Sequence, residues 1–156
     1  MKAIFITGAA QGIGLAIARL FAEKGWRVGL FDVNESLCKN HLQTPLFHNA
    51  VAGFCDVTDP DSVDAALTAF TDASGGQLHV LVNNAGVLSA GDFSTMSAAD
   101  VNAMIAVNIG GLTRVSHQAF PYLRDTEDAV VLNLCSASSI HGIPWLAVYS
   151  ASKFYV

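Results

Sequence analysis

Five apolar runs, each short enough to be a strand and each leading into a turn or an amphipathic stretch, constrain this chain most. They are KAIFIT (2–7), RVGLFD (27–32), AVAGFCDV (50–57), LHVLVNN (78–84) and AVVLNLC (129–135). Near-continuous apolar runs of this length predict strands buried on both faces. Between them, IGLAIARLFAEKG (13–25) and DPDSVDAALTAFTDASG (59–75) have helical spacing and glycine stops, the second opening on an Asp cap and a Pro. A short helix is expected around 35–42. A long one is expected over 97–124, with Gly110 and Gly111 as its weak point, and a last one from about 145–149. Strand–helix alternation predicts a doubly wound α/β fold: one domain over residues 1–156, with a parallel sheet of order 3-2-1-4-5 covered on both faces. A composition 52% hydrophobic and only 13% charged suits such a buried sheet.

The same composition excludes several function classes. A net charge of −5 gives no electrostatic footprint for nucleic acid or an anionic membrane surface. No apolar run reaches the roughly 18–20 residues that a membrane span needs. The chain opens directly on KAIFIT rather than on a signal peptide. Cys38, Cys55 and Cys135 are odd in number and far apart, which reads as reduced, mostly buried thiols of a cytoplasmic protein. The histidines at 41, 48, 79, 117 and 141 lack metal-ligand spacing and read as surface or loop residues, so no metal is expected.

The turn after the first strand is TGAAQGIG, Thr7 to Gly14. Gly8, Gly12 and Gly14 allow a tight turn and let backbone N–H groups approach a pyrophosphate at a helix N-terminus. Glycines in such a turn can also serve packing alone. Asp32 closes the second strand about twenty residues further on, where a carboxylate can bind ribose hydroxyls. No Arg or Lys lies in the glycine loop or just after Asp32, which favours NAD over its 2′-phosphorylated form. Asp32 could instead cap the helix that follows. CDVTD brings Asp56 to the same carboxyl edge of the sheet, and NNAG (83–86) ends the fourth strand there.

At the other end, Tyr149 and Lys153 in YSASK stand four apart, on one helical face. Such a pair is also a common solvated helix surface. TGAAQGIG, NNAG and YSASK, in this order and spacing, resemble the short-chain dehydrogenase/reductase family over essentially the whole chain. The resemblance implies a Rossmann-type NAD-binding domain and an Asn–Ser–Tyr–Lys tetrad. Matched motif by motif, the tetrad is Asn108 in AVNIGG, Ser136 in CSASS, Tyr149 and Lys153. Ser138 and Ser139 are rival candidates for the serine, and any of the three could cap a turn. Asn108 could be a satisfied polar residue beside a helix irregularity. Cys135, where the family often has a further serine, reads as a buried small hydrophobe. His141 and Trp145, between Ser136 and Tyr149, are candidate substrate contacts, and Trp145 could equally anchor its loop.

The implied chemistry is coherent. A free phenol, with a pKa near 10, is a poor base at neutrality, and a cation within about 4–6 Å favours its ionised form. Tyr149 would then exchange the alcohol proton as hydride moves. Ser136 would hold the substrate oxygen. The family assigns Lys153 to the nicotinamide ribose and Asn108 to a water relay through that lysine. On the cofactor side the resemblance implies Gly8, Gly12, Ile13, Gly14, Asp32, Asp56, Val57, Asn83, Ala85 and Gly86, together with Tyr149 and Lys153. It also implies a homodimer or homotetramer acting on a small alcohol or carbonyl compound. A sixth strand would need roughly 30 more residues, so the end after FYV is expected to be a cut that leaves the fifth strand as an open edge. The alternative reading is a non-enzymatic nucleotide-binding fragment.

Overall fold

A computed structural model describes all residues, 1–156. The strands are β1 (Ala3–Thr7), β2 (Arg27–Asp32), β3 (Val51–Phe54), β4 (Val80–Asn83) and β5 (Val130–Asn133). They form one sheet of order β3-β2-β1-β4-β5, and every pairing is parallel. The register aligns Ala52, Leu30, Ile6, Val82 and Leu132 in one row across all five strands. Because the strands are parallel, Thr7, Asp32, Phe54, Asn83 and Asn133 end at a common edge.

The helices are α1 (Gly12–Glu23), α2 (Glu35–His41), α3 (Pro60–Ser74), α4 (Ala98–Met104), α5 (Leu112–Arg124) and α6 (Ala147–Tyr155). Asp59 caps α3 by accepting from Asp61 N–H, and Pro60 opens that helix. Gly75 ends it in the left-handed conformation, at φ 68°. Ser97 caps α4, accepting from Asp100 N–H while its hydroxyl donates to the Asp100 carboxylate. The expected long helix is present, but its centre, Ile105–Gly111, is wound as π-helix rather than broken at the two glycines.

Alternation along each strand divides the core into two layers. Phe5 points with Phe31, Leu81 and Val115 into the layer under α3 and α5, where Phe5 stacks on Phe31 at 4.5 Å between centroids and Phe70 closes on it edge-on at 5.5 Å. Ile4 and Ile6 point the other way, into a layer with Ala18, Val28, Leu30 and Val82. Edge strand β5 has no such cover: Val130, Val131 and Leu132 are all exposed. The expectation for Cys135 fails here for the same reason. It follows that uncovered strand and is exposed, whereas Cys38 and Cys55 are buried as expected. Of the histidines expected at the surface or in loops, His41 lies in α2 half-buried against Ala10 C=O, and His79 accepts from Ala3 N–H. No group of His, Cys, Asp and Glu side chains is arranged to hold a metal ion. No helix is long and apolar enough to cross a membrane.

Candidate active site at the carboxyl edge of the sheet

The β1–α1 turn is held by close backbone contact. Gly8 and Gly12 take positive φ, 65° and 59°. Gly14 has no room for a side chain: a Cβ there would lie 2.4 Å from Gly8 O and 2.6 Å from Asn84 Nδ2. Asn84 donates from Nδ2 to the carbonyls of both Thr7 and Gly8. Thr7 Oγ1 in turn accepts from Asn84 N–H and Ala85 N–H. The NNAG turn after β4 thus clamps the glycine turn after β1. The helix that starts there, α1, has no side-chain cap at Gln11, whereas α2, α3 and α4 are capped by Asn34, Asp59 and Ser97. The orphan N–H groups of its first turn stay open to a ligand.

A cleft of about 390 Å³ lies above this turn. Gly8, Ile13, Asp32, Asp56, Val57, Ala85 and Gly86, all expected on the cofactor side, line it, and no Lys or Arg does. Gly12 and Gly14 shape the turn from outside the lining. The Asp32 carboxylate accepts from Ala10 N–H at 3.1 Å and from Asn34 N–H at 2.9 Å. It does not cap α2, because the acceptor for Leu37 N–H is Asn34 Oδ1. Asp56 is held by Thr58, whose N–H and hydroxyl both donate to Oδ1. Asn83 lies off the cleft, buried, with Nδ2 donating to Ser116 Oγ and Asn133 Oδ1. Its neighbour Asn84 lines the cleft instead. Period-two alternation carried this signal: Asn83 shares the face of Leu81, which packs under α5. Cys55 also reaches the lining, and burial, with Asp56 and Asp32 nearby, pushes its thiol up to about 12.

Asn108 and Lys153 meet beside Gly86. A Cβ on Gly86 would lie 3.3 Å from Asn108 Oδ1 and 3.7 Å from Lys153 Nζ. Asn108 is buried within the π-helical run. Its Oδ1 accepts from Val87 N–H at 2.9 Å, and its Nδ2 donates to Val87 C=O and Ser152 Oγ. Such π-helical turns recur where a helix must present a particular group. Lys153 is buried, and Nζ donates to Leu134 C=O at 2.7 Å. Burial lowers its pKa, partly offset by the Cys135 thiol nearby. The same ammonium lies 5.8 Å from the centroid of the Tyr149 ring, and the Tyr149 hydroxyl has no hydrogen-bond partner in the chain. Ser136 opens a short 3₁₀ turn, Ala137–Ser139, and its Oγ accepts from Ser138 N–H at 3.2 Å and Ser138 Oγ–H at 2.8 Å. Trp145 stands exposed at a φ of 63°, its carbonyl accepting from Gly91 N–H.

Comparison with known proteins identifies the family. Residues 2–156 match the family model described as short chain dehydrogenase. The chain is 34% identical over 97% of its length to the 2-(S)-hydroxypropyl-CoM dehydrogenase 3 of Xanthobacter autotrophicus, of which it covers 60%. A crystal structure of a short-chain dehydrogenase/reductase from Burkholderia phymatum in complex with NAD superposes with a TM-score of 0.92 at 31% identity, over 99% of this chain and 56% of that one. An alcohol dehydrogenase from Thermococcus sibiricus, complexed with 5-hydroxy-NADP, gives 0.90 at 28% identity, over 99% and 66%. The chain spans about 60% of the length of the curated relatives it matches. In sequence, sheet order and glycine turn alike, this chain belongs to the short-chain dehydrogenase/reductase family.

Proposed function

We propose that this protein is an NAD-dependent oxidoreductase acting between an alcohol and its carbonyl, with Tyr149 as the proton-transfer group. The observation that carries the reading is the meeting at Gly86, which lines the nucleotide cleft and adjoins both Asn108 and Lys153. One continuous site therefore runs from the glycine turn to the Tyr149 helix. The names of the relatives, dehydrogenases and reductases, point the same way.

The residues present fit a dinucleotide. Gly8 and Gly14 let the glycine turn close against Asn84 and Ala85 without a side chain between, and the uncapped start of α1 offers N–H donors to a pyrophosphate. Asp32, fixed by two backbone N–H groups and with no basic residue in the lining, suits free ribose hydroxyls and repels a 2′-phosphate. When bound, nicotinamide supplies or accepts the hydride. Tyr149 accepts the alcohol proton or returns it to the carbonyl oxygen. Ser136 orients that oxygen and stabilises its developing charge. Lys153 places a cation beside the phenol, and Asn108, locked by Val87 and Ser152, holds the far side of the lysine pocket.

The test is NADH oxidation by the purified protein over a panel of aliphatic and aromatic ketones, beside calorimetric titration with NADH and NADPH. The expected result is ketone-dependent turnover with NADH bound at least tenfold tighter than NADPH, about 1.4 kcal/mol. NADH binding with no turnover on any carbonyl compound or alcohol would overturn the enzymatic reading.

A further inference from the structure

We infer that Ser138 is a positioning residue that makes Ser136 an obligate hydrogen-bond donor toward the substrate oxygen. The inference rests on the role proposed for Ser136 and adds a residue to it.

A serine hydroxyl has one proton to give and two lone pairs to accept with. In this chain both acceptor positions of Ser136 Oγ are taken by the same residue. Ser138 N–H reaches it at 3.2 Å, and the Ser138 hydroxyl donates to it at 2.8 Å. Apart from Ser138 Oγ itself, the Ser136 hydroxyl meets no acceptor in the chain: the Ser139 hydroxyl donates to the Ser136 carbonyl, and the Cys135 thiol lies 3.2 Å from both Ser139 Oγ and Lys153 C=O. Ser136 therefore has a single polar capacity left, donation outward. A group that must bind a carbonyl oxygen and stabilise negative charge on it needs that polarity.

Burial gives the arrangement its strength. Ser138 is only 3% exposed, so water does not compete for its hydroxyl, and a hydrogen bond in such surroundings is stronger than one at the surface. Polarisation runs the same way: a hydroxyl that accepts two hydrogen bonds becomes a better donor. The 3₁₀ turn over Ala137–Ser139 builds this geometry, because its tight winding brings residue 138 back over the side chain that caps it. Ser139 lacks the same effect, since its hydroxyl is spent on a backbone carbonyl at 2.6 Å.

Two measurements test this. Neutron diffraction from deuterium-exchanged crystals reads the hydroxyl directions without any substrate. The expected map places the Ser138 deuteron on the line to Ser136 Oγ and the Ser136 deuteron off it. A Ser136 deuteron pointing at Ser138 Oγ overturns the inference, whether or not the protein turns over. In kinetics, Ser138→Ala should lower kcat about tenfold, the worth of one neutral hydrogen bond, and leave the KM for NADH unchanged. In a Ser136→Ala background the same change should cost nothing further. An equal loss in both backgrounds would make Ser138 merely structural. Absence of turnover in the unaltered protein would instead strike the proposed function, leaving the neutron result to decide this one.

Discussion

Gly14 shows how one atom can decide the site. A Cβ at that position meets Gly8 O at 2.4 Å, so Gly14→Ala must push α1 and the glycine turn apart. We expect a loss of about 1–3 kcal/mol in urea unfolding, as for other overpacked positions, together with weakened NADH binding by calorimetry. On the proposed function Asp32 sets selectivity by charge, so Asp32→Ser should narrow the preference for NADH over NADPH at least tenfold, read as the ratio of the two Kd values. The three thiols should separate sharply under alkylation at pH 7.5. Cys135 is exposed, and a hydrogen bond with the Ser139 side chain, then one with the Ser136 backbone, lowers its pKa. Burial raises Cys38 and Cys55 to about 12. Mass spectrometry after iodoacetamide should find Cys135 modified first, with the other two protected until the protein unfolds. The glycine turn was legible, and Asp32 and the residues proposed for the tetrad can be picked out by motif. The exposure of Cys135 was not legible, because it depends on whether anything covers β5, and no local pattern encodes that.

Among the elements, the run from α4 through α5 carries the most information. Helical periodicity predicts its extent, 97–124 against the observed Ala98–Arg124. The π-helical centre has no comparable signature. It accompanies a tertiary contact, Asn108 against both polar groups of the Val87 backbone, 21 residues away in sequence. Gly111, which a propensity argument marks as a weak point, is required by packing, since a Cβ there would meet Val57 Cγ2 at 2.5 Å. Asn108→Ala should therefore leave Val87 N–H and C=O short of a partner, while the Ser152 hydroxyl keeps its bond to Tyr149 C=O. A fully buried orphaned group costs about 1–3 kcal/mol, but Val87 is itself exposed and water can replace part of the loss, so a fall of about 1 kcal/mol in the urea-extrapolated stability is expected. A variant as stable as the parent would show that the contact contributes little. The NNAG turn gives the converse lesson. Its motif was legible, but which of its two asparagines reaches the cleft depends on the strand face, and Asn83 faces α5.

At the scale of the whole molecule, the parallel sheet order β3-β2-β1-β4-β5 follows from the alternation of apolar and amphipathic stretches and is what was expected. Its consequence is spatial: every strand delivers its last residue to one edge, so motifs distant in the chain become neighbours there, as with Thr7 and Asn84, 77 residues apart. Thr7 of the first turn is clamped by Asn84, and Gly86, in the NNAG turn with Asn84, adjoins Lys153 from α6. The central claim is that nucleotide cleft and proton-transfer group form one site in which Tyr149 moves the proton but does not hold the fold. Tyr149→Phe removes only a hydroxyl that has no partner within the chain. Single-turnover NADH oxidation, followed at 340 nm with NADH binding measured in parallel, tests this most directly. The account predicts a rate at least about a hundredfold lower, the usual contribution of a positioned acid–base group, with the Kd for NADH and the urea midpoint unchanged. An unaltered rate in Tyr149→Phe would contradict it.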